Sequence, residues 1–69
     1  MNTPAMQAVA EALAEHPNGM TAEQIMAATR LRPTVLYGTL MRMEAMGTLR
    51  LVGEQPLPTK GRSYLLATA

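Results

Sequence analysis

Residues 20–49 read MTAEQIMAATRLRPTVLYGTLMRMEAMGTL, a string that holds two helices with a tight turn between them. Thr21 followed three residues later by Gln24 forms a capping box, in which each side chain satisfies an orphaned backbone N–H beside the other. Met20 and Ile25 stand at the two positions of a hydrophobic staple around that cap. A short helix over residues 22–29 follows, with Ile25 and Met26 turned inward. Arg30-Leu31-Arg32 is then a tight connection, because Pro33 biases Arg32 away from helical angles and itself suits the first turn of a new helix. This next helix runs from Pro33 to Met46 and stops at Gly47, a natural left-handed C-terminal residue. Leu36, Leu40 and Met43 make its inward stripe. The opposite face carries Thr34, Gly38, Met41 and Ala45, with Tyr37 and Arg42 at its margins. A glycine in mid-helix costs about 0.8–1 kcal/mol against alanine. Gly38 is therefore either a tolerated surface glycine or a point where another molecule comes close.

Upstream, Thr3-Pro4 marks a helix start, with proline at a first position where its missing N–H is harmless. Met6, Val9, Ala10 and Leu13 then recur as one apolar stripe. His16-Pro17-Asn18-Gly19 ends that helix, since Pro17 cannot continue it and Asn-Gly favours a turn. Downstream of Gly47 the period changes to two. Thr48-Leu49-Arg50-Leu51-Val52 reads as a strand with Leu49 and Leu51 on its inner face, Gly53–Gly61 as a loop, and Ser63-Tyr64-Leu65-Leu66 as the returning strand. Three helices, strand, loop and strand make one domain over residues 1–69. Its class is mainly α with a small β-hairpin, the layout of a winged helix-turn-helix.

Composition narrows the function classes. At 69 residues and 48% apolar content, without cysteine, phenylalanine or tryptophan, the core must be aliphatic, and no disulfide can brace it. The absence of cysteine fits a reducing, cytoplasmic setting, and neither a signal peptide nor an apolar run of spanning length is evident. Aspartate is also absent and His16 is the one histidine, so a single chain cannot assemble a metal cluster or a nucleophilic triad. His16, at a helix C-terminus, is placed to complement the dipole there. No enzyme activity, cofactor or small-molecule substrate is expected.

Charge is unevenly distributed. Residues 1–29 hold Glu11, Glu15 and Glu23 with no cation, whereas residues 30–69 hold Arg30, Arg32, Arg42, Arg50, Lys60 and Arg62 against Glu44 and Glu54. A net charge of +1 thus conceals an acidic half and a basic half. The basic half either faces a polyanion or is ordinary surface charge that has segregated.

Residues 31–49, LRPTVLYGTLMRMEAMGTL, are similar to the winged-helix regulators of bacteria and their phages, which space an apolar residue, Leu, an apolar residue, Glu and Gly as Leu31, Leu40, Met43, Glu44 and Gly47 are spaced here. Leu36-Tyr37-Gly38 and Gly61-Arg62-Ser63-Tyr64 most resemble the PadR-like transcriptional regulators, and the likeness extends over residues 20–67. Members of that family carry a C-terminal dimerisation segment after the wing. The present sequence ends at Ala69, so their mode of pairing does not carry over. The resemblance implies a transcriptional regulator that binds double-stranded DNA.

The residues permit the same expectation. Arg30 and Arg32, at the threshold of the third helix, can reach phosphates or can be solvated turn residues. Thr34, Tyr37 and Gly38 occupy the outer N-terminal part of that helix, the part that meets base edges in helix-turn-helix proteins, and Arg42 flanks them. Tyr37 also borders the core and can serve as a packing residue. Lys60 and Arg62 on the wing can contact phosphate or the minor groove. Arg50, alternating with Leu49 and Leu51, faces solvent. Met41 and Met46 suit core or protein contacts. The expected function is sequence-specific DNA binding by a bacterial, plasmid or phage repressor, in the cytoplasm and on the nucleoid. It would act as a homodimer paired through Ala5, Ala8 and Ala12 of the first helix. The alternative is a winged helix that binds only other proteins.

Overall fold

The computed structural model describes residues 3–56 and 62–69. Its elements are α1 (Pro4–Ala14), α2 (Ala22–Thr29), α3 (Pro33–Ala45), β1 (Leu49–Pro56) and β2 (Arg62–Thr68). This is the expected order of three helices followed by an antiparallel hairpin.

Local chemistry sets each helix boundary. Thr3 Oγ1 accepts the Met6 N–H at 3.1 Å and starts α1. The capping box of α2 is complete: Thr21 Oγ1 accepts the Gln24 N–H at 3.1 Å, and Gln24 Oε1 accepts the Thr21 N–H at 3.0 Å. At the end of α1, the His16 ring lies 3.1 Å through Nδ1 from the Ala12 carbonyl. A carbonyl only accepts, so this nitrogen carries the proton of the bond. α3 closes on a Schellman motif: Gly47 has φ +77°, the Thr48 N–H reaches Met43 O at 2.9 Å, and the Gly47 N–H reaches Glu44 O at 3.0 Å. Met46, placed by the sequence inside the helix, is instead the residue that caps it.

The core is one aliphatic cluster to which the helices and β1 contribute most, with Ala67 the buried apolar residue of β2. Met6, Val9 and Leu13 of α1 meet Met20, Ile25, Leu36, Leu40, Met43 and Leu49, with Ala10, Ala12, Met26, Leu31 and Leu66 packed around them. Thr39 is the buried polar residue of α3, and its hydroxyl donates to Val35 O at 2.7 Å, so it enters the core satisfied.

The hairpin departs from expectation in three ways. Both strands are longer than the alternating pattern shows, pairing from Leu49↔Thr68 out to Pro56↔Arg62. Gly53–Pro56 therefore belongs to a strand and not to the loop. Pro56 is tolerated because a two-stranded ribbon consists of edges, where a missing N–H need not break a ladder. Second, a β-bulge shifts the register between Leu51 and Gly53, leaving Val52 as the extra residue. Third, Leu51 is not core. It is 61% exposed, although it lies on the same face of the strand as the buried Leu49.

The sheet also gains a third partner. Met20 and Leu66 exchange both backbone hydrogen bonds, at 2.9 and 2.7 Å, tying the α1–α2 connection to β2. Gly19 makes this possible. At φ +102° it packs so closely that a Cβ there would lie 3.2 Å from Leu65 Cβ and 3.5 Å from Leu66 O.

Candidate nucleic-acid interface

The turn between α2 and α3 is built around Arg30, which takes the left-handed conformation at φ 60° while its N–H bonds Met26 O at 2.7 Å. Among the described residues it is the non-glycine with positive φ. For a residue with a Cβ that conformation costs about 1–2 kcal/mol. The kink turns the chain within three residues and leaves Arg30 and Arg32 exposed at the start of α3.

Arg32 precedes α3 in an extended conformation and supplies no side-chain cap. Pro33 has no N–H to satisfy, so the first-turn amides of Thr34 and Val35 lack a capping oxygen from within the helix start. Uncapped amides at the positive end of the dipole, with two exposed arginines in the turn that leads into them, favour an anion.

Along α3, Leu36, Leu40 and Met43 point into the core, as their spacing requires. The outward face holds Thr34, Gly38, Met41 and Ala45, all exposed. Arg42 and Val35 lie on one margin of that face, also exposed, and Tyr37 lies on the other, half-exposed at 50%. Tyr37 is therefore both a groove-lining and an accessible residue. Gly38 has no atom of the chain within 4 Å of where its Cβ would be, so nothing inside the molecule requires a glycine there.

Between α3 and the hairpin runs an open groove whose lining includes Tyr37, Met41, Glu44, Leu51 and Tyr64. Met41 is 73% exposed at its edge. The sequence placed Met41 correctly on the outer face but did not bring Leu51 and Tyr64 up to it, because their approach depends on the length and twist of the hairpin. Gly53 was the available signal, since an isolated glycine within a strand pattern marks a bulge.

The other candidates separate from this face. Arg50 Nε donates to Thr68 O at 3.2 Å, so this arginine is engaged along the hairpin end. Arg62 opens β2 opposite Pro56, on the hairpin arm far along the ladder from the Leu49 end. Lys60, and the side chain of Arg62, lie outside the described residues. Ala8 and Ala12 line a shallow groove with Glu11, Glu15, Ala28 and Thr29, so part of the small-residue stripe of α1 faces α2 of its own chain. Among the described residues no three of His, Cys, Asp or Glu gather as a metal site, and no helix is long and apolar enough to cross a membrane.

Comparison of the chain with protein families, with curated proteins and with solved structures finds no match in any of the three.

Proposed function

We propose that this chain binds double-stranded DNA sequence-specifically through α3, as a small PadR-like transcriptional repressor of a bacterium, plasmid or phage. One observation carries the reading: the outward face of α3 is exposed, bordered by Arg30, Arg32 and Arg42, and centred on a glycine that the fold itself does not need. A helix held this way by a preceding short helix and a tight turn is the element that enters a major groove. Arg30, Arg32 and the uncapped amides at the α3 start meet phosphate, and Thr34 and Tyr37 meet base edges. Lys60 and Arg62 extend the phosphate contacts as a wing. These cations are modest for one protomer, and a symmetric dimer on a pseudo-palindromic site doubles them. The site of action is the cytoplasm, on the nucleoid.

The rival reading, a winged helix that binds only proteins, is favoured by the apolar groove of Tyr37, Met41, Leu51 and Tyr64. Titration of a duplex recovered from a random pool, and of a scrambled duplex at the same salt, separates the two. Thr34→Ala and Tyr37→Ala should each lose about 1–3 kcal/mol on the selected duplex and far less on the scrambled one. Arg32→Ala should weaken both in similar proportion. Variants shown by circular dichroism to be folded, yet retaining the parent's ratio of affinities, would remove α3 as the reader and leave the protein-binding account as the better one.

A further inference from the structure

The side chains on the exposed face of α3 bear on which feature of DNA they can read. Reading guanine or adenine directly in the major groove takes a bidentate donor or acceptor, from Arg or Lys for guanine and from Asn or Gln for adenine. α3 contains no Asn, Gln or Lys. Its long polar side chains are Tyr37, Arg42 and Glu44, all at the margins of the outward face; Tyr37 brings a single hydroxyl and no bidentate pair, and Arg42 and Glu44 lie beyond the second turn, with Glu44 lining the groove beside the hairpin. What the outward face offers instead is methyl and methylene surface. Thr34 has its own methyl, Val35 is nearly half-exposed, Gly38 presents bare backbone, and Met41 extends a flexible thioether that is 73% exposed. Of the groups in the major groove, such a surface complements one: the 5-methyl of a pyrimidine. Arg30, Arg32 and Arg42 border the same face, and this charge complementarity makes a nucleic acid its occupant.

Resting on the reading of α3 as the DNA-facing helix, we infer that Thr34, Val35 and Met41 recognise pyrimidine 5-methyl groups, with Gly38 letting the helix seat deeply enough to reach them. The chain then selects thymine through its methyl, and it treats 5-methylcytosine as a partial substitute. Specificity of this kind depends on the substituent at C5 and not on the base-pairing identity.

The test uses four synthetic duplexes at one low salt concentration: poly(dA-dT), poly(dA-dU), poly(dG-dC) and the 5-methylcytosine form of poly(dG-dC). Each competes against the same fluorescent duplex. Burying one methyl corresponds to about fourfold in affinity. The thymine polymer should therefore compete about fourfold better than the uracil polymer for every methyl covered, and cytosine methylation should improve competition in the same sense. Met41→Ala and Val35→Ala remove exposed side chains and leave the core intact, and each should move the thymine-to-uracil ratio toward one. Arg32→Ala should lower binding to all four polymers and keep that ratio. Equal competition by thymine and uracil polymers, with both binding, overturns methyl recognition and leaves DNA binding standing. Failure to bind any of the four overturns both and assigns the face to a protein partner.

Discussion

Replacing Gly38 by alanine should make the protein more stable and a poorer DNA binder, two effects that the structure separates. The stability term follows from position. Gly38 lies in the middle of α3, its φ is not positive, and an added Cβ would meet nothing within 4 Å. The full helix-propensity gain of about 0.8–1 kcal/mol should therefore appear. In a domain of this size that raises Tm by about 3–8 °C. Gly19→Ala is the internal control, the same change with the opposite sign. There φ is +102°, and the new Cβ would press on Leu65 at 3.2 Å. A loss of at least about 1–2 kcal/mol is expected. The binding term comes from the DNA side. If the Gly38 backbone lies against the groove floor, a methyl there overfills a packed contact at a cost of about 1–3 kcal/mol. Thermal melts give the first quantity, and anisotropy titrations on the selected and the scrambled duplex give the second. A Gly38→Ala variant that is more stable and binds both duplexes as the parent does would show that nothing approaches the helix at this position. A variant that is less stable would show that the environment of Gly38 is misassigned.

The remaining expectations concern the core, the wing and the turn. Leu40→Ala removes a buried side chain from the central stripe of α3 and should cost about 2–5 kcal/mol, enough to leave much of so small a domain unfolded; a melt within a degree or two of the parent would take Leu40 out of the core. Lys60→Ala combined with Arg62→Ala should weaken binding to every duplex alike and lower the slope of log affinity against log salt by about 0.9 for each phosphate that is no longer neutralised; an unchanged slope would remove the wing from the DNA-binding surface. Arg30→Gly should relieve the left-handed strain and stabilise the fold by about 1 kcal/mol, while reducing the same salt slope; a variant that gains stability without any change in slope would make Arg30 a structural turn residue alone.

The helices were legible because their ends are written in neighbouring residues. Thr3 with Pro4, Thr21 with Gln24, and Gly47 are each interpretable within a window of five residues, and each forms its expected cap. The inward stripes were legible for the same reason, periodicity being a local property. The hairpin was only partly so. The Met20–Leu66 bridge is a one-residue strand, too short to carry any period, and its partner lies more than forty residues away in sequence. The bulge at Val52 breaks the alternation on which strand recognition depends, so the pattern stops there while the pairing continues to Pro56. Burial of Leu51 was inferred from alternation, which fixes a face but not how far the neighbouring helices extend over it. The exposed candidates on α3, Thr34, Gly38 and Arg42, were readable from a helical wheel. The groove that joins Tyr37 and Met41 to Leu51 and Tyr64 was not, because it is made where two distant segments meet.

Two of the described residues run against strong local preferences. The left-handed position closing α2 favours glycine, yet arginine occupies it; the exposed centre of α3 favours alanine, yet glycine occupies it. At other described positions local choice and fold agree: glycine stands at φ +102° and +77°, threonine at two helix starts, and the hydroxyls of the buried Thr21 and Thr39 are bonded. A sequence consistent at most levels concentrates its inconsistencies where function competes with stability. Both exceptions border one surface: Arg30 closes α2 at the turn into α3, and Gly38 lies on the outward face of α3. Their chemistry is also complementary: a cation where a phosphate would pass, and a missing side chain where a groove floor would press. A protein partner for the apolar groove would account for the exposure of Tyr37, Met41 and Tyr64. It gives no reason for a strained arginine in the turn before α3 or for an empty glycine on its outward face, whereas a duplex lying along α3 would use both.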